Sequence, residues 1–165
     1  MHGSTFLPVN VNELPRINTP TGGWTDEMPG PFLSSCSDPL VEGAPDLRGT
    51  WRAVSVTMKG EDAPRELPLW KHVERIEQAG DRIIITSDGV VHDFIHADGT
   101  PENGCHDVAA IDMTTRIVVA AAYEDGVFVL RPQGMDGTEV RRWREGDRLG
   151  WDYAGIFRML LERID

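Results

Sequence analysis

The sequence has few basic residues, and this scarcity limits the partners that it can bind. Its 16 Lys and Arg residues face 27 Asp and Glu residues, which gives a formal net charge of −11 over 165 residues. Nucleic-acid binding relies on basic patches that displace counterions from phosphates, and anionic membrane surfaces also attract basic segments. We therefore expect no nucleic-acid partner and no membrane partner.

Cysteine and long apolar runs are scarce as well. Cys36 and Cys105 are the only two cysteines, too few for a disulfide framework. No apolar run is long enough to cross a bilayer as a helix, and the N-terminus lacks the basic segment and apolar core of a secretory signal. These absences favour a cytoplasmic protein with two free thiols. A single bridge between the N-terminal segment and the rest of the chain is the alternative.

The motifs of nucleotide binding and serine hydrolysis are also missing. The chain has no Gly-x-Gly-x-x-Gly, no Gly-Lys-Ser/Thr and no Gly-x-Ser-x-Gly sequence. Apolar residues at helical spacing do not continue far enough to predict a long helix. We expect a fold made of strands and a function that needs no cofactor.

Ten short runs of strand-forming residues follow one another from Gly49 to the C-terminus, and turn residues such as Asp-Gly and Asn-Gly separate them. These dipeptides favour hairpin turns, which leave no room for the crossover helices of a parallel sheet. The pattern predicts an all-β fold, an up-and-down antiparallel β-barrel of about 8–10 strands. The predicted strands are 50–58, 72–78, 82–86, 90–96, 105–111, 116–123, 127–131, 139–144, 148–153 and 156–164.

Residues 1–46 have a different composition from the rest. Seven of the eleven prolines lie there, and Arg16 is the only Arg or Lys. The segment nevertheless holds more apolar side chains than a disordered tail usually has, Phe6 and Leu7 among them. We interpret it as an extended Pro-rich arm that precedes a barrel of residues 47–165. It could be a flexible leader, a strap over the barrel wall or mouth, or an arm exchanged with a partner subunit.

The start of the barrel resembles the calycin superfamily, which includes lipocalins and fatty-acid-binding proteins. The resemblance rests on Gly49-Thr50-Trp51 in the first strand and on Arg163 in the last. It implies that Trp51 is buried at one barrel end, that Arg163 lies across its ring in a cation–π contact, and that a small molecule binds inside the barrel. The segment 59–70 is too short for the two helices of fatty-acid-binding proteins. Their late Arg-x-Tyr motif is absent.

Four ionisable residues on the predicted strands are candidates for catalysis. If His72, Glu74, His92 and His106 face the barrel interior, they would suit general acid–base chemistry. Histidine titrates near neutral pH, and burial beside carboxylates would shift its pKa. The alternative is that these histidines lie on the surface, or in the core as residues with satisfied hydrogen bonds.

Aromatic side chains on the same strands are the expected ligand contacts. Trp151 and Tyr153 share a face of the ninth strand, because alternate residues of a strand point to the same side. An apolar molecule in the barrel would contact such rings. We expect ligand contacts from Phe94, Tyr123, Phe128, Trp151 and Tyr153.

A metal site is not expected. His92 and His96 would lie about 13 Å apart on one strand, too far to share an ion. His96 and His106 could face each other across the 98–104 loop, but they would need a further ligand such as Glu102.

A basic cluster in the eighth predicted strand allows two interpretations. The run 141–144 holds three arginines around one tryptophan and could grip a carboxylate. An exposed face balanced by Glu139 and Glu145 is the interpretation that we favour.

Three functions remain open at this stage. The first is a cofactor-independent enzyme, an isomerase, cyclase or lyase, that acts by acid–base chemistry on a small, largely apolar organic molecule in the barrel. The second is a non-catalytic binder or carrier of such a molecule, as lipocalin-like barrels often are. The third is a scaffold. An interior with convergent His and Glu side chains would favour the enzyme, which we prefer.

Two predicted strands are apolar on both faces, namely 116–123 and 156–164. A strand with water on one side should alternate apolar and polar residues, and large exposed apolar patches are unusual in soluble monomers. We therefore expect the outer wall to be covered by the N-terminal arm or a second subunit, and we favour a homodimer to which the arm contributes.

Overall fold

A computed structural model describes residues 8–165, which form eleven strands and two single-turn 3₁₀-helices. The helices are Val11–Glu13 and Pro68–Lys71. The strands are β1 Gly49–Met58, β2 Glu61–Asp62, β3 Val73–Ala79, β4 Arg82–Ser87, β5 Val90–Phe94, β6 Cys105–Val108, β7 Arg116–Glu124, β8 Val127–Pro132, β9 Val140–Glu145, β10 Arg148–Tyr153 and β11 Phe157–Arg163.

The strands form one antiparallel, nearly closed barrel. Among the described residues, hydrogen bonds link them in the order β5-β4-β3-β1-β11-β10-β9-β8-β7-β6, and β2 adds a short ribbon to β1. Apart from the β1–β11 closure and the step from β3 to β1 past β2, spatial neighbours are also sequence neighbours. The predicted all-β, up-and-down antiparallel barrel is therefore confirmed.

All ten predicted strands are present, but two of them end two or three residues earlier than predicted. The fourth ends at Phe94 and the fifth at Val108. After β5, the Ala97 amide donates to the Asp81 carbonyl, which turns the chain away from the sheet. After β6, the Met113 amide donates to the Ala109 carbonyl and closes a loop where a longer strand was expected.

Hairpin turns with left-handed backbone set the strand registers. Asp88 and Asp125 have φ of 50° and 51°, and the glycine that follows each also has positive φ. Two successive residues of this kind match the right-handed twist of the flanking strands, which explains the Asp-Gly preference. The two turns lie at opposite ends of the barrel, because one joins β4 to β5 and the other joins β7 to β8.

The barrel closes where β1 pairs with β11, as the calycin resemblance implied. Trp51 is fully buried and lies directly opposite Arg163 in the ladder. The cation over the indole is not that of Arg163, however. The Arg144 guanidinium lies 5.5 Å from the ring centroid, whereas Arg163 donates to the Asp165 carboxylate. The expected stack of Arg163 on Trp51 is therefore wrong, although the two residues are neighbours at the seam.

The N-terminal arm is a strap over the outer wall. Val11 and Leu33 of the arm are buried against Ile84 and Val91, which point outward from β4 and β5. Burial of these apolar side chains favours a fixed strap over a flexible leader for residues 8–46. Residues 1–7, which include Phe6 and Leu7, lie outside the described residues. The division of the chain at residue 46 stays a prediction.

The arm also covers the gap between β5 and β6, which we call the slot. No ladder joins these two strands among the described residues. Arg16 donates to the carbonyls of Asp93 and Gly104, one on each side of the slot. Thr19 exchanges hydrogen bonds with Val91 and donates its amide to Asp107. The arm therefore supplies the partners that a neighbouring strand would otherwise supply.

The outer face of β7 needs less cover than the sequence suggested. The loop after β5 pairs with the edge of β7 beyond the end of β6, with Gly99 donating to the Ala121 carbonyl and Asp98 forming a bridge with Ala122. The small alanine side chains also leave little apolar area to cover. The homodimer stays a prediction, which sedimentation of the full chain and of a chain starting near Pro45 would test.

We predict that Arg82→Met strongly destabilises the protein. Arg82 is buried, pairs with Asp93 at 2.6 Å, and donates to the carbonyls of Val11, Leu14 and Pro15 in the arm. Removing it leaves a buried carboxylate without its cation, which costs about 3–5 kcal/mol. Urea unfolding measures this loss.

The matched control is Arg131→Met, which removes an arginine from an exposed ion pair with Glu124. It should cost at most about 1 kcal/mol. Equal losses in the two variants would contradict the anchoring role of Arg82.

Candidate functional site

One end of the barrel brings together the turn between β4 and β5, the turn between β10 and β11, and the connection 59–72. We call this end the mouth. Tyr153 and Ile156 are exposed there, at 44% and 60% of their surface. The mouth is the part of the barrel where apolar side chains meet both solvent and buried charges.

A buried ionic cluster of three residues lies just inside the mouth. Glu74 is fully buried, and its carboxylate contacts His72 Nε2 at 2.7 Å and Arg142 Nε at 2.8 Å. Arg142 donates a second bond through Nη2 at 3.1 Å. His72 and Arg142 are themselves only 4% exposed. We call these three residues the ionic cluster.

Strand alternation and barrel closure together assemble this cluster. Glu74 lies opposite Trp51 in the β1–β3 ladder and shares its inward face. Arg142 lies two residues after inward-facing Val140 on β9 and shares its face, four strands away from β3 around the barrel. The Glu74–Arg142 pair therefore spans the barrel interior. Our interpretation of 141–144 as an exposed face is wrong for Arg142, because alternation turns its side chain inward.

The charges of the cluster follow from its contacts. Burial alone would raise the pKa of Glu74, but Arg142 and the hydrogen bond from His72 outweigh it and lower the pKa to about 2. Burial would likewise lower the pKa of His72, but hydrogen bonds to Asp88 and Glu74 raise it to about 9. At neutral pH His72 is therefore an imidazolium and Glu74 a carboxylate.

Asp88 joins the cluster to solvent. Its carboxylate lies 3.1 Å from His72 Nδ1, while its side chain is 57% exposed. Sequence reasoning missed Asp88 and considered it only as a turn residue. The His72 ring thus lies between two carboxylates, one buried and one at the surface.

Trp151 forms the aromatic wall of the cluster. Its ring centroid is 4.7 Å from that of His72, and the Arg142 guanidinium lies 4.5 Å from the indole. Phe157 and Tyr153 pack on it edge to face, at 5.0 and 6.0 Å. The buried indole Nε1 has no hydrogen-bond partner among the described residues.

The other two predicted catalytic histidines lie outside the cluster. His92 donates from Nε2 to the Val108 carbonyl at 2.9 Å, a side-chain link across the slot, and burial lowers its pKa. His106 donates to the Pro101 carbonyl at 2.8 Å, on the strand face opposite Cys105. Of the four predicted residues, the structure brings His72 and Glu74 together.

The predicted aromatic contacts fall into two groups. Trp151 and Tyr153 are at the mouth, as described. A second group consists of Phe94, Phe128 and Tyr123. The ring centroid of Phe128 lies 5.8 Å from that of Phe94 and 5.5 Å from that of Tyr123. Phe94 and Phe128 are almost completely buried, and burial raises the pKa of Tyr123 to about 12. Sequence reasoning missed Phe157, which completes the first group.

Two clefts of the described part of the chain lie away from the ionic cluster. One, of about 230 Å³, lies between the arm and β3 beside Cys36 and Glu77, and the other is formed by the arm itself. Within the same residues no three His, Cys, Asp or Glu side chains are placed to hold a metal ion. No helix in the described part of the chain is long and apolar enough to span a membrane.

We predict that His72 makes stability depend on pH between 6.5 and 9. The folded protein keeps the His72 proton up to about pH 9, whereas the unfolded chain releases it near 6.5. This contribution to the free energy of unfolding is complete below pH 6.5 and is lost as the pH rises through 9. The reason is that in this window the unfolded chain binds fewer protons than the folded protein, so a rise in pH favours the unfolded state.

Urea unfolding at several pH values measures the effect in the wild type and in His72→Gln. The wild type should lose more stability over this window than the variant does. Parallel pH profiles would contradict the protonated state of His72.

Comparison with known proteins identifies the fold. No protein-family model and no curated protein sequence matches the chain. Its structure is similar to that of human cRBP IV, a cellular retinol-binding protein, with a TM-score of 0.55 and 19% sequence identity. The match covers 72% of this chain and 98% of the other. The protein therefore has a calycin-like β-barrel fold.

Proposed function

We propose that the protein binds a small, largely apolar organic molecule at the mouth of its barrel and transforms it by acid–base chemistry without a cofactor. The reaction would be that of an isomerase, cyclase or lyase. The observation that carries this proposal is the buried ionic cluster of His72, Glu74 and Arg142 beneath the aromatic wall of Trp151. The calycin-like fold supports small-molecule binding as an analogy.

His72 would act as the general acid. As an imidazolium held between Glu74 and Asp88, it has a proton to give at Nδ1, on the side of the mouth. Glu74 and Arg142 would fix the ring and keep it charged until the proton is transferred. Asp88 is an exposed carboxylate beside the same nitrogen and would accept a proton from another position of the substrate. One proton given and one taken is what an isomerisation requires.

A non-catalytic binder or carrier is the second candidate. The observation that favours it is that both Glu74 oxygens are already engaged, by His72 and by Arg142. A fully paired cluster can stabilise a barrel without reacting. In that case the aromatic residues at the mouth, Trp151, Tyr153 and Phe157, would form the binding surface, and His72 would only orient the ligand.

The location and the assembly of the protein form part of the proposal. We propose a cytoplasmic location, which the unpaired thiols of Cys36 and Cys105 support. We also propose a homodimer, for which the exposed apolar side chains of Ile111, Met135 and Ile156 are the structural support. A small apolar molecule remains the proposed ligand in either assembly.

Native mass spectrometry of the purified protein tests binding, and a variant then tests catalysis. We expect a retained organic molecule whose mass identifies a substrate or product. His72→Gln should lower its turnover about a hundredfold or more, the usual contribution of a general acid. The ion pair between Glu74 and Arg142 remains in this variant, so the fold should survive.

The matched control is His106→Gln, because His106 binds a loop carbonyl on the other strand face. It should keep the turnover of the wild type. If His72→Gln retains the ligand and no turnover is found in any form, the carrier function is favoured. Equal turnover in both variants and the wild type would refute His72 as the acid.

A further inference from the structure

We propose that the molecule bound at the mouth carries a carboxylate, which takes the place of Asp88 on His72 and accepts a hydrogen bond from Trp151. This inference rests on the proposed function, since it names the chemical class of the ligand at the same site. Three observations carry it: the position of Asp88, the charge balance of the ionic cluster, and the unpartnered indole.

Asp88 already holds a carboxylate where the ligand would place its own. Its oxygen lies 3.1 Å from His72 Nδ1, yet more than half of its side chain is exposed to water. Because only the Asp88 side of this contact is in water, another anion that reaches Nδ1 from the solvent can compete with Asp88 for the buried imidazolium. The contact shows which kind of group the outer side of His72 accepts.

The charge balance of the cluster favours an anion. The three buried residues carry two positive charges, on His72 and Arg142, and one negative charge, on Glu74. A buried excess of one positive charge is costly unless an anion lies close. Asp88 supplies that anion from the surface. A ligand carboxylate would supply it from within the mouth, where water screens the attraction less.

The Trp151 indole supplies the missing hydrogen-bond donor. Its Nε1 is buried and has no acceptor within the described residues, and leaving such a donor unpaired costs about 1–3 kcal/mol. The His72 and Trp151 rings lie 4.7 Å apart. One carboxylate has two oxygens, so one can accept from His72 and the other from Trp151. A cationic ligand would satisfy neither donor.

At His72, the exchange needs only the side chain of Asp88 to rotate. The turn that carries it is held by the arm, because Trp24 donates its amide to the Gly89 carbonyl and its indole to the Val90 carbonyl. Met113 packs so closely on Gly89 that a Cβ there would stand 2.6 Å from its methyl group. The backbone of the turn therefore stays in place while the exposed carboxylate rotates off His72 Nδ1, and it remains beside the bound molecule as the base of the proposed reaction.

The apolar part of the ligand would lie on the aromatic residues of the mouth. Tyr153 and Phe157 stack with centroids 5.2 Å apart, and Tyr153 is exposed whereas Phe157 is buried beneath it. These rings stand beside Trp151 at the open end of the barrel. The ligand class is thus a small aromatic or alkyl carboxylate, with its charged end toward His72 and its apolar end toward the exposed ring of Tyr153.

The test compares two nearly isosteric probes by isothermal titration calorimetry, 3-phenylpropanoate and 3-phenylpropanamide. The full chain should bind the carboxylate about tenfold or more tightly than the amide, the difference expected of a charge-assisted hydrogen bond. Asp88→Asn should tighten carboxylate binding several-fold, because the internal competitor is gone. Trp151→Phe should weaken it about tenfold, because the N–H donor is lost.

Asp125→Asn is the matched control. Asp125 begins an Asp-Gly turn with the same backbone geometry at the opposite end of the barrel, so its loss should change neither affinity.

The possible results separate this inference from the proposed function. If carboxylate and amide bind equally and Asp88→Asn changes neither, the carboxylate assignment is overturned while small-molecule binding at the mouth stands. If neither probe binds the wild type or Asp88→Asn, the assignment is also overturned. A molecule found by native mass spectrometry would then still support the proposed function. If Asp88→Asn and Asp125→Asn change the affinity for the carboxylate equally, the change comes from net charge alone, and the carboxylate assignment is overturned in that case too.

Discussion

The buried carboxylate of Glu74 is the constraint on which the arrangement of the barrel interior depends. A charge with no solvent exposure must have partners of opposite sign within hydrogen-bond distance. Glu74 obtains them from His72, at the end of the connection before β3, and from Arg142, across the barrel on β9. These two contacts fix the imidazole, hold the guanidinium against Trp151, and place a protonated histidine under the mouth. Without Glu74 neither cation would be stable in this interior.

The N-terminal arm solves a second problem, which arises because β5 and β6 do not pair. Unpaired strand edges leave backbone groups without partners and invite association with other chains. Arg16 and Thr19 bind both edges of the slot. Arg82 donates to Asp93 and to carbonyls of the arm, and so links the two. The same arm reaches the mouth, since Trp24 holds the turn that presents Asp88 to His72. Barrel closure and site geometry therefore share one segment of chain.

The candidate site combines full internal pairing with an open side. Its buried half is satisfied, since each Glu74 oxygen has a partner. Its outer half is not, since Asp88 is exposed and the Trp151 indole has no acceptor in the described part of the chain. A site of this kind is rigid at its base and exchangeable at its surface. Rigid support with a replaceable outer partner is the arrangement that suits recognition of a small molecule.

The sequence by itself determined the strands, their turns and the antiparallel fold, because these depend on local rules. Asp-Gly dipeptides specify hairpins, and alternation assigns each residue of a strand to a face. Those rules already placed His72 and Glu74 on one side of the predicted strand 72–78. Alternation along β9 could also have predicted that Arg142 points inward, but it does not predict which residue Arg142 contacts.

Only the tertiary structure decided the contacts between distant strands. The pairing of Glu74 with Arg142 joins residues 68 positions apart and depends on how the closed barrel tilts and staggers its strands. The same holds at the seam, where Arg144, and not the expected Arg163, lies over Trp51. Closure of the barrel decides which residues face each other across its interior. Closure depends on all the strands together, so no short segment of sequence determines it.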